Sequence, residues 1–396
     1  MADIYGLGAN TQWKSPKEKE KAFQDWKESH QPFHWFAEFY SIINNGGFDV
    51  IIGNPPYVEY SKVKKDYKVK NYATEEAGNI YALVIENCVN VLKDNGYLSM
   101  IVQNSIVCTK RMIPIQKLLM QNFDLYVSNY DDRPAKLFTG LNHMKGSIFI
   151  GVPKSKGINY TTIFHRWYDD FRDFIFMLLT YNSLQSFLTF EGHLSKYSKE
   201  VHKSIMEKIY KQDQLGLSLR DTGHVVYCHR IASYFIKSID FIPFFYNETQ
   251  GEKKSDDYKE YFVNSVENKY ILVALFNSSI FYINWHTLHD GYHCGKLNIS
   301  EFPFSFPTDV DIRNELKKLG ADVSASIKKN AYRRETVYKS TGKVVYDEFY
   351  PKLSKSIIDE IDKVLAKHYG FTDEELDFII NYDIKYRMGN ELGGEE

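Results

Sequence analysis

The order of strand and helix signals in this 396-residue chain predicts an α/β fold: a doubly wound sheet, then an α+β domain and a C-terminal helical segment. Three observations predict it. "FDVIIG" (48–53) is a short apolar run rich in β-branched residues, as a buried parallel strand requires. From there to about residue 155, apolar runs of strand length alternate with segments of helical period. Beyond Pro153 that alternation stops, and a clear 3.6-residue period returns only in the tail.

The elements follow in order. Residues 1–45 are a polar lead with one amphipathic helix, "PKEKEKAFQDWKESH", followed by the aromatic stretch "QPFHWFAEFYSII". "GNIYALVIENCVNVLKDNG" (78–96) is helical in spacing, with Asn95-Gly96 as its stop signal. "YLSMIVQNSIV" (97–107) is the second strand, and "MIPIQKLLMQNF" (112–123) a helix with Pro114 in its first turn. "DLYVSNY" (124–130) and "GSIFIGVP" (146–153) complete the sheet, joined by the long loop "DDRPAKLFTGLNHMK". Residues 46–155 therefore form the first domain and 156–345 a second one. The second holds strand-like pieces such as "HVVYCHRIASYFI" and "EYFVNSV", and a long or bent helix at 269–288. Residues 346–396 are the helical segment, broken at Tyr369-Gly370, with Thr372 and Glu375 spaced as a capping box.

A net charge of −2 gives no global nucleic-acid signature, although a local basic face is compatible with it. The 16% aromatic content, with 30 Tyr and 27 Phe, suits cores and stacking surfaces alike. Cys88, Cys108, Cys228 and Cys294 are scattered and read as reduced thiols. With no long apolar run and no signal-like start, the expectation is a soluble, cytoplasmic protein without a membrane.

The chemistry-bearing stretch is "GGFDVIIGNPPYVEY" (46–60), an apolar strand run straight into Asn54-Pro55-Pro56-Tyr57. Two prolines remove two donors and fix two φ angles, so the loop is stiff. Such loops at the C-terminal ends of strands are where α/β proteins carry their sites. This stretch resembles the catalytic motif of the amino-directed DNA methyltransferases, in its adenine-N6 form. With "NIYALVIENCVNVLKDNGYLSMIVQNSIV" and the tail from residue 356, the likeness is to the modification and specificity part of type IIG-like restriction–modification enzymes.

The resemblance implies a partial Rossmann-like methyltransferase sheet, S-adenosylmethionine as cofactor and double-stranded DNA as partner. Asn54 Oδ1 and the Pro55 carbonyl would accept the N–H bonds of an adenine amine, with Pro56 holding the loop and Tyr57 stacking on the flipped base. Phe138 stands where the family places a second stacking ring. Arg133 and Lys136 nearby read as solvated loop charges. In the second domain Arg230, Tyr292, His293, Lys296 and Asn298 are candidates to reach bases or phosphates. The family's glycine-rich cofactor turn has no convincing counterpart: "YGLGAN" (5–10) is a remnant at best. The expectation is that a second chain, or a missing N-terminal region, completes the sheet and the cofactor pocket, and that β-edge 48–53 is left open. The alternatives are a non-catalytic DNA-binding or specificity subunit, an inactive truncated methyltransferase, and methylation of RNA or protein. His286, His289, His293 and Cys294 are too close together to wrap a zinc ion, so no metal is expected. "KKNAYRRET" (328–336) reads as a solvated helix face, or as a tracker of a phosphate backbone. No nuclease motif is evident.

Overall fold

The computed structural model describes residues 11–31, 33, 35–65, 68–138, 144–184, 194–339 and 341–389. It is a mixed α/β structure with a helical C-terminal part. Its strands are β1 (Phe48–Gly53), β2 (Leu92–Gln103), β3 (Phe123–Tyr130), β4 (Gly146–Pro153), β5 (Tyr160–His165), β6 (Asn182–Ser183), β7 (His224–His229), β8 (Ser238–Ile239), β9 (Phe245–Asn247), β10 (Gly251–Glu252), β11 (Tyr258–Val263), β12 (Tyr332–Tyr338) and β13 (Gly342–Glu348). The first sheet has the order β1-β2-β4-β3-β5-β6 and is mixed, because β1–β2 and β3–β5 are parallel and β5–β6 antiparallel. The chain divides into two compact units, residues 1–102, 111–125 and 148–157, and residues 103–110, 126–147 and 158–396.

In the first unit, Ser15 caps helix Pro16–His30 by accepting the Glu18 N–H, with Pro16 at its first turn. Helix Ile80–Val91 starts at Asn79, whose side chain accepts the Tyr81 N–H, and forms the crossover between parallel β1 and β2. The expected stop at Asn95-Gly96 is corrected. The helix ends at Val91, and Leu92 is already extended (φ −84°, ψ 149°) because it pairs with Phe48. Tyr97 pairs with Val50, so Lys93–Gly96 bulge out of register between those two pairs. The second strand is also corrected, to Leu92–Gln103. The residues expected to end it, 105–107, belong instead to a short helix, Ser105–Cys108. Helix Ile113–Asn122 carries Pro114 in its first turn.

β1 pairs with β2 alone and is the edge of its sheet among the described residues. At its start Phe48 meets Phe39, rings 5.2 Å apart, and Trp35 stacks on Phe39 at 5.5 Å. Farther along, Val50 is 53% exposed and Ile52 77% exposed. The aromatic stretch therefore covers the beginning of the strand and leaves its apolar middle bare.

In the second unit, β11-β7-β8 and β10-β9-β13-β12 are two antiparallel sheets. The helix expected at 269–288 is a pair, Val266–Asn277 and Ser279–Leu288, bent by 57° at Ser278. Ser278 ends the first helix and caps the second, accepting the Phe281 N–H at 3.1 Å. This pair passes together for length and apolarity, but among the described residues no single helix is long and apolar enough to cross a membrane. Its side chains from Ile271 to Leu288 are buried. Helix Val310–Lys329 lies against it so closely that a Cβ on Gly320 would stand 1.9 Å from the Tyr270 carbonyl oxygen; only glycine fits there. Helix Asp373–Ile380 begins with the expected capping box, Thr372 Oγ1 accepting the Glu375 N–H and Glu375 Oε2 accepting the Thr372 N–H. The basic run 328–336 is not one helix face. It covers the end of helix Val310–Lys329 and enters β12, where Arg333 and Arg334 pair with Asp347 and Glu348.

Candidate functional site

β1 ends at Gly53, and Asn54 follows it into an irregular loop. Asn54 is exposed, Pro55 buried, Pro56 exposed and Tyr57 half-buried. The Tyr57 hydroxyl lies 2.5 Å from Asn54 Oδ1 and 3.0 Å from the Ile101 carbonyl oxygen. It has one proton, so it donates to one of them at a time. A bond to Oδ1 fixes which way the Asn54 amide faces and leaves the second lone pair of that oxygen open to a ligand. Burial pushes the Tyr57 hydroxyl pKa up, which keeps it a donor. Its ring meets Tyr81 edge-on at 6.5 Å. The sequence reading gave Tyr57 only a stacking ring; the hydroxyl that orients Asn54 was missed, since nothing in the motif states where an OH points.

Farther along, Glu59 accepts both Arg111 Nη1 (2.8 Å) and Nη2 (2.7 Å). The Arg111 hydrogen bonds, against burial, hold the Glu59 carboxyl below its ordinary pKa. The Tyr60 N–H donates to the Gly78 carbonyl at 2.8 Å and the Ile80 N–H to the Val58 carbonyl at 2.9 Å. Glu86 accepts the N–H groups of Ala73 (2.9 Å) and Thr74 (2.8 Å). The segment after the two prolines is thus tied to the start of helix Ile80–Val91 at several points.

Phe138 belongs to the second unit, where it is half-buried, as are Arg133 and Lys136. Its loop is held by Arg172, which donates to the carbonyls of Lys136 (2.8 Å) and Leu137 (2.7 Å). The stem of the loop is a buried ion pair, Asp131 with Lys145 at 2.6 Å. Arg166 Nε donates to the other Asp131 oxygen at 2.8 Å, and Arg166 Nη1 lies 3.3 Å from Asp383. Burial raises the Asp131 pKa, but the Arg166 guanidinium and the Lys145 ammonium outweigh it and hold the carboxyl well below its usual range. Sequence reasoning did not find this cluster, because its members lie up to 252 positions apart (Asp131 to Asp383) and share no local pattern.

Among the recognition candidates, Arg230, Tyr292 and His293 are brought together. The Ala232 N–H donates to the Tyr292 carbonyl at 2.9 Å, the Cys294 N–H to the Arg230 carbonyl at 2.8 Å, and Ile231 bridges His293. Arg230 pairs with Asp257 at 2.7 Å, and His293 Nδ1 with Asp290 at 2.6 Å, a bond that raises the His293 pKa. Asn298 is committed to its own helix, Oδ1 accepting the Gly295 N–H at 2.6 Å. Lys296 is exposed at the start of that short helix, Lys296–Ser300. His286 is buried and lies 3.0 Å from the Tyr382 hydroxyl. The run 5–10, weighed as a cofactor turn, lies outside the described residues.

Part of the chain is similar to known proteins. Residues 8–133 match the Eco57I restriction-modification methylase family. A protein of Methanocaldococcus jannaschii, described as "Putative type II restriction enzyme and methyltransferase RM.MjaORFECS2P", is 32% identical over 143 residues. That match covers 33% of this chain and 12% of the relative, so the chain spans a small fraction of the curated protein it resembles. Among solved structures, the type IIL restriction-modification enzyme MmeI in complex with DNA aligns with TM-score 0.44 at 11% identity, over 86% of this chain and 57% of that one. A nuclease-deletion mutant of the type ISP enzyme LlaGI, with a DNA substrate mimic, aligns with TM-score 0.41 at 10% identity, over 87% and 41%. The family match contains Asn54–Tyr57 and ends before Phe138 and the recognition candidates.

Proposed function

We propose that this chain carries the catalytic loop and the DNA-recognition part of a restriction–modification methyltransferase that acts on the N6 amine of a flipped adenine. The observation that supports it is the arrangement at the end of β1: an exposed Asn54 amide whose Oδ1 is oriented by the Tyr57 hydroxyl at 2.5 Å. An adenine amine is a poor nucleophile because its lone pair is delocalised into the ring. Asn54 Oδ1 and the Pro55 carbonyl accept its two N–H bonds, draw the nitrogen toward tetrahedral geometry and aim its lone pair. S-adenosylmethionine, when bound, supplies the electrophilic methyl group. The Tyr57 ring stacks on the base after it leaves the duplex. Arg230, Tyr292, His293, Lys296 and Asn298 belong to the surface that meets the surrounding DNA.

The bare edge of β1 supports a further part of this reading. Additional strands, from a partner chain or from sequence beyond these residues, pair with β1, cover Val50 and Ile52 and bring the cofactor-binding turn. The test is transfer of labelled methyl from S-adenosylmethionine to plasmid DNA, by this chain alone and together with a protein that carries the glycine-rich turn. N6-methyladenine is the expected product, formed only in the combined reaction, and Asn54→Ala abolishes it while DNA binding persists. Activity retained by Asn54→Ala overturns the catalytic assignment. DNA binding without methylation under every condition points to the non-catalytic specificity subunit.

A further inference from the structure

The chain as a whole is slightly acidic, with a net charge of −2, yet the segment that follows the Asn54–Tyr57 loop is "VEYSKVKKDYKVKNY" (58–72), with five lysines in nine residues. Lys62, Lys64, Lys65, Lys68 and Lys70 are all exposed. Among the described residues none of them forms an ion pair with a carboxylate. Asp66, within the run, lies outside the described residues. Glu59, just before the run, is already engaged by Arg111; Glu75 and Glu76 lie farther on, in the short helix Glu75–Ala77.

The segment is nevertheless anchored. The Tyr60 N–H is fixed on Gly78 at 2.8 Å, and the Tyr60 hydroxyl accepts the Val69 N–H at 3.1 Å, which draws residues 60 and 69 together. The Asn87 side chain donates to the Tyr72 hydroxyl at 2.7 Å. Five exposed ammonium groups within nine residues repel one another, and among the described residues no carboxylate forms an ion pair with them; a polyanion supplies that counter-charge. The described residues of the run expose no large apolar side chain, so it has nothing to insert into a bilayer, and a lipid surface fits it poorly.

We propose that Lys62, Lys64, Lys65, Lys68 and Lys70 clamp the sugar-phosphate backbone of duplex DNA next to the base that enters the Asn54–Tyr57 loop. The inference rests on the reading of that loop as a DNA-modifying site. It adds where the backbone is gripped: on the segment that follows the two prolines, tied to the same helix Ile80–Val91.

The test is equilibrium binding of a duplex oligonucleotide to the full chain, followed by fluorescence anisotropy across a salt series. Wild type is compared with the triple variant Lys64→Gln, Lys65→Gln, Lys68→Gln and with Asn54→Ala. Each lost phosphate contact lowers the slope of log affinity against log salt by about 0.9, so the triple variant should lose about 2.7 from it. Asn54→Ala should keep the wild-type slope. An unchanged slope in a triple variant that melts like wild type overturns the clamp and leaves the methyltransferase reading standing. Failure of the wild-type chain to bind DNA overturns that reading and the clamp with it. Binding to phosphatidylserine vesicles in place of DNA does the same, in favour of a membrane surface.

Discussion

The Asn54–Tyr57 loop and the Asp131–Arg166 cluster are both tight polar constellations, but water reaches one and not the other. Asn54 is exposed and its Oδ1 keeps a lone pair open. Asp131 and the Arg166 and Lys145 that hold it expose between 1% and 6% of their side chains. In the cluster the polar groups face one another, and its work is to fix the stem of the 131–145 loop. In the Asn54–Tyr57 loop one group orients another and leaves it facing outward. The difference teaches that a set of short hydrogen bonds marks a ligand site only where an acceptor is left over.

That contrast can be broken at either end. The largest effect is expected from Arg166→Met, which leaves Asp131 and Asp383 buried without their guanidinium. Loss of one partner from a buried ion pair costs about 3–5 kcal/mol, measured as a lower urea midpoint. A change under about 1 kcal/mol would show that water enters the cluster. Asn54→Ala should do the opposite: leave the urea midpoint in place and lower methyl transfer at least roughly 10²–10³-fold, the usual loss for one aimed polar group.

A smaller effect is expected from pH, at a third, wholly buried position. Burial lowers the His202 pKa to about 3, in the core of the second unit. The unfolded chain takes up a proton near pH 6.5 and the folded one does not, so acidification from about 6.5 toward 3 favours unfolding. His202→Gln should make stability less steep in that window by up to about 1.4 kcal/mol per pH unit, read from urea midpoints at stepped pH. Equal slopes in the two proteins would place His202 in water. The smallest effect is Tyr57→Phe, which keeps the ring but removes the hydroxyl that donates to Asn54 Oδ1 or to the Ile101 carbonyl. Stability should fall by about 1 kcal/mol. Methyl transfer should drop less than in Asn54→Ala, since the acceptor survives without its orienting hydroxyl.

Much of the local structure was legible in the sequence because it depends on near neighbours. The Pro16 helix start, Pro114 in the first turn of its helix and the Thr372–Glu375 capping box are each set within a few residues. Misreadings came where a distant partner won. Asn95-Gly96 looked like a helix stop, but pairing of Leu92 with Phe48 had already pulled the chain into the sheet. The basic run 328–336 looked like one helix face, but backbone pairing of β12 with β13 takes its arginines into a hairpin, where they meet Asp347 and Glu348.

The sequence by itself determined the stiff Asn-Pro-Pro-Tyr loop, the apolar strand before it and the lysine run after it, because prolines, β-branching and charge act locally. Only the tertiary structure decided that Tyr57 orients Asn54, that β1 stands at a sheet edge with Val50 and Ile52 bare, and that Asp131, Lys145, Arg166 and Asp383 share one buried site. The physical reason is common to all three. Hydrogen-bond direction, strand order and burial of charge depend on groups that the chain brings together from positions its local pattern does not relate.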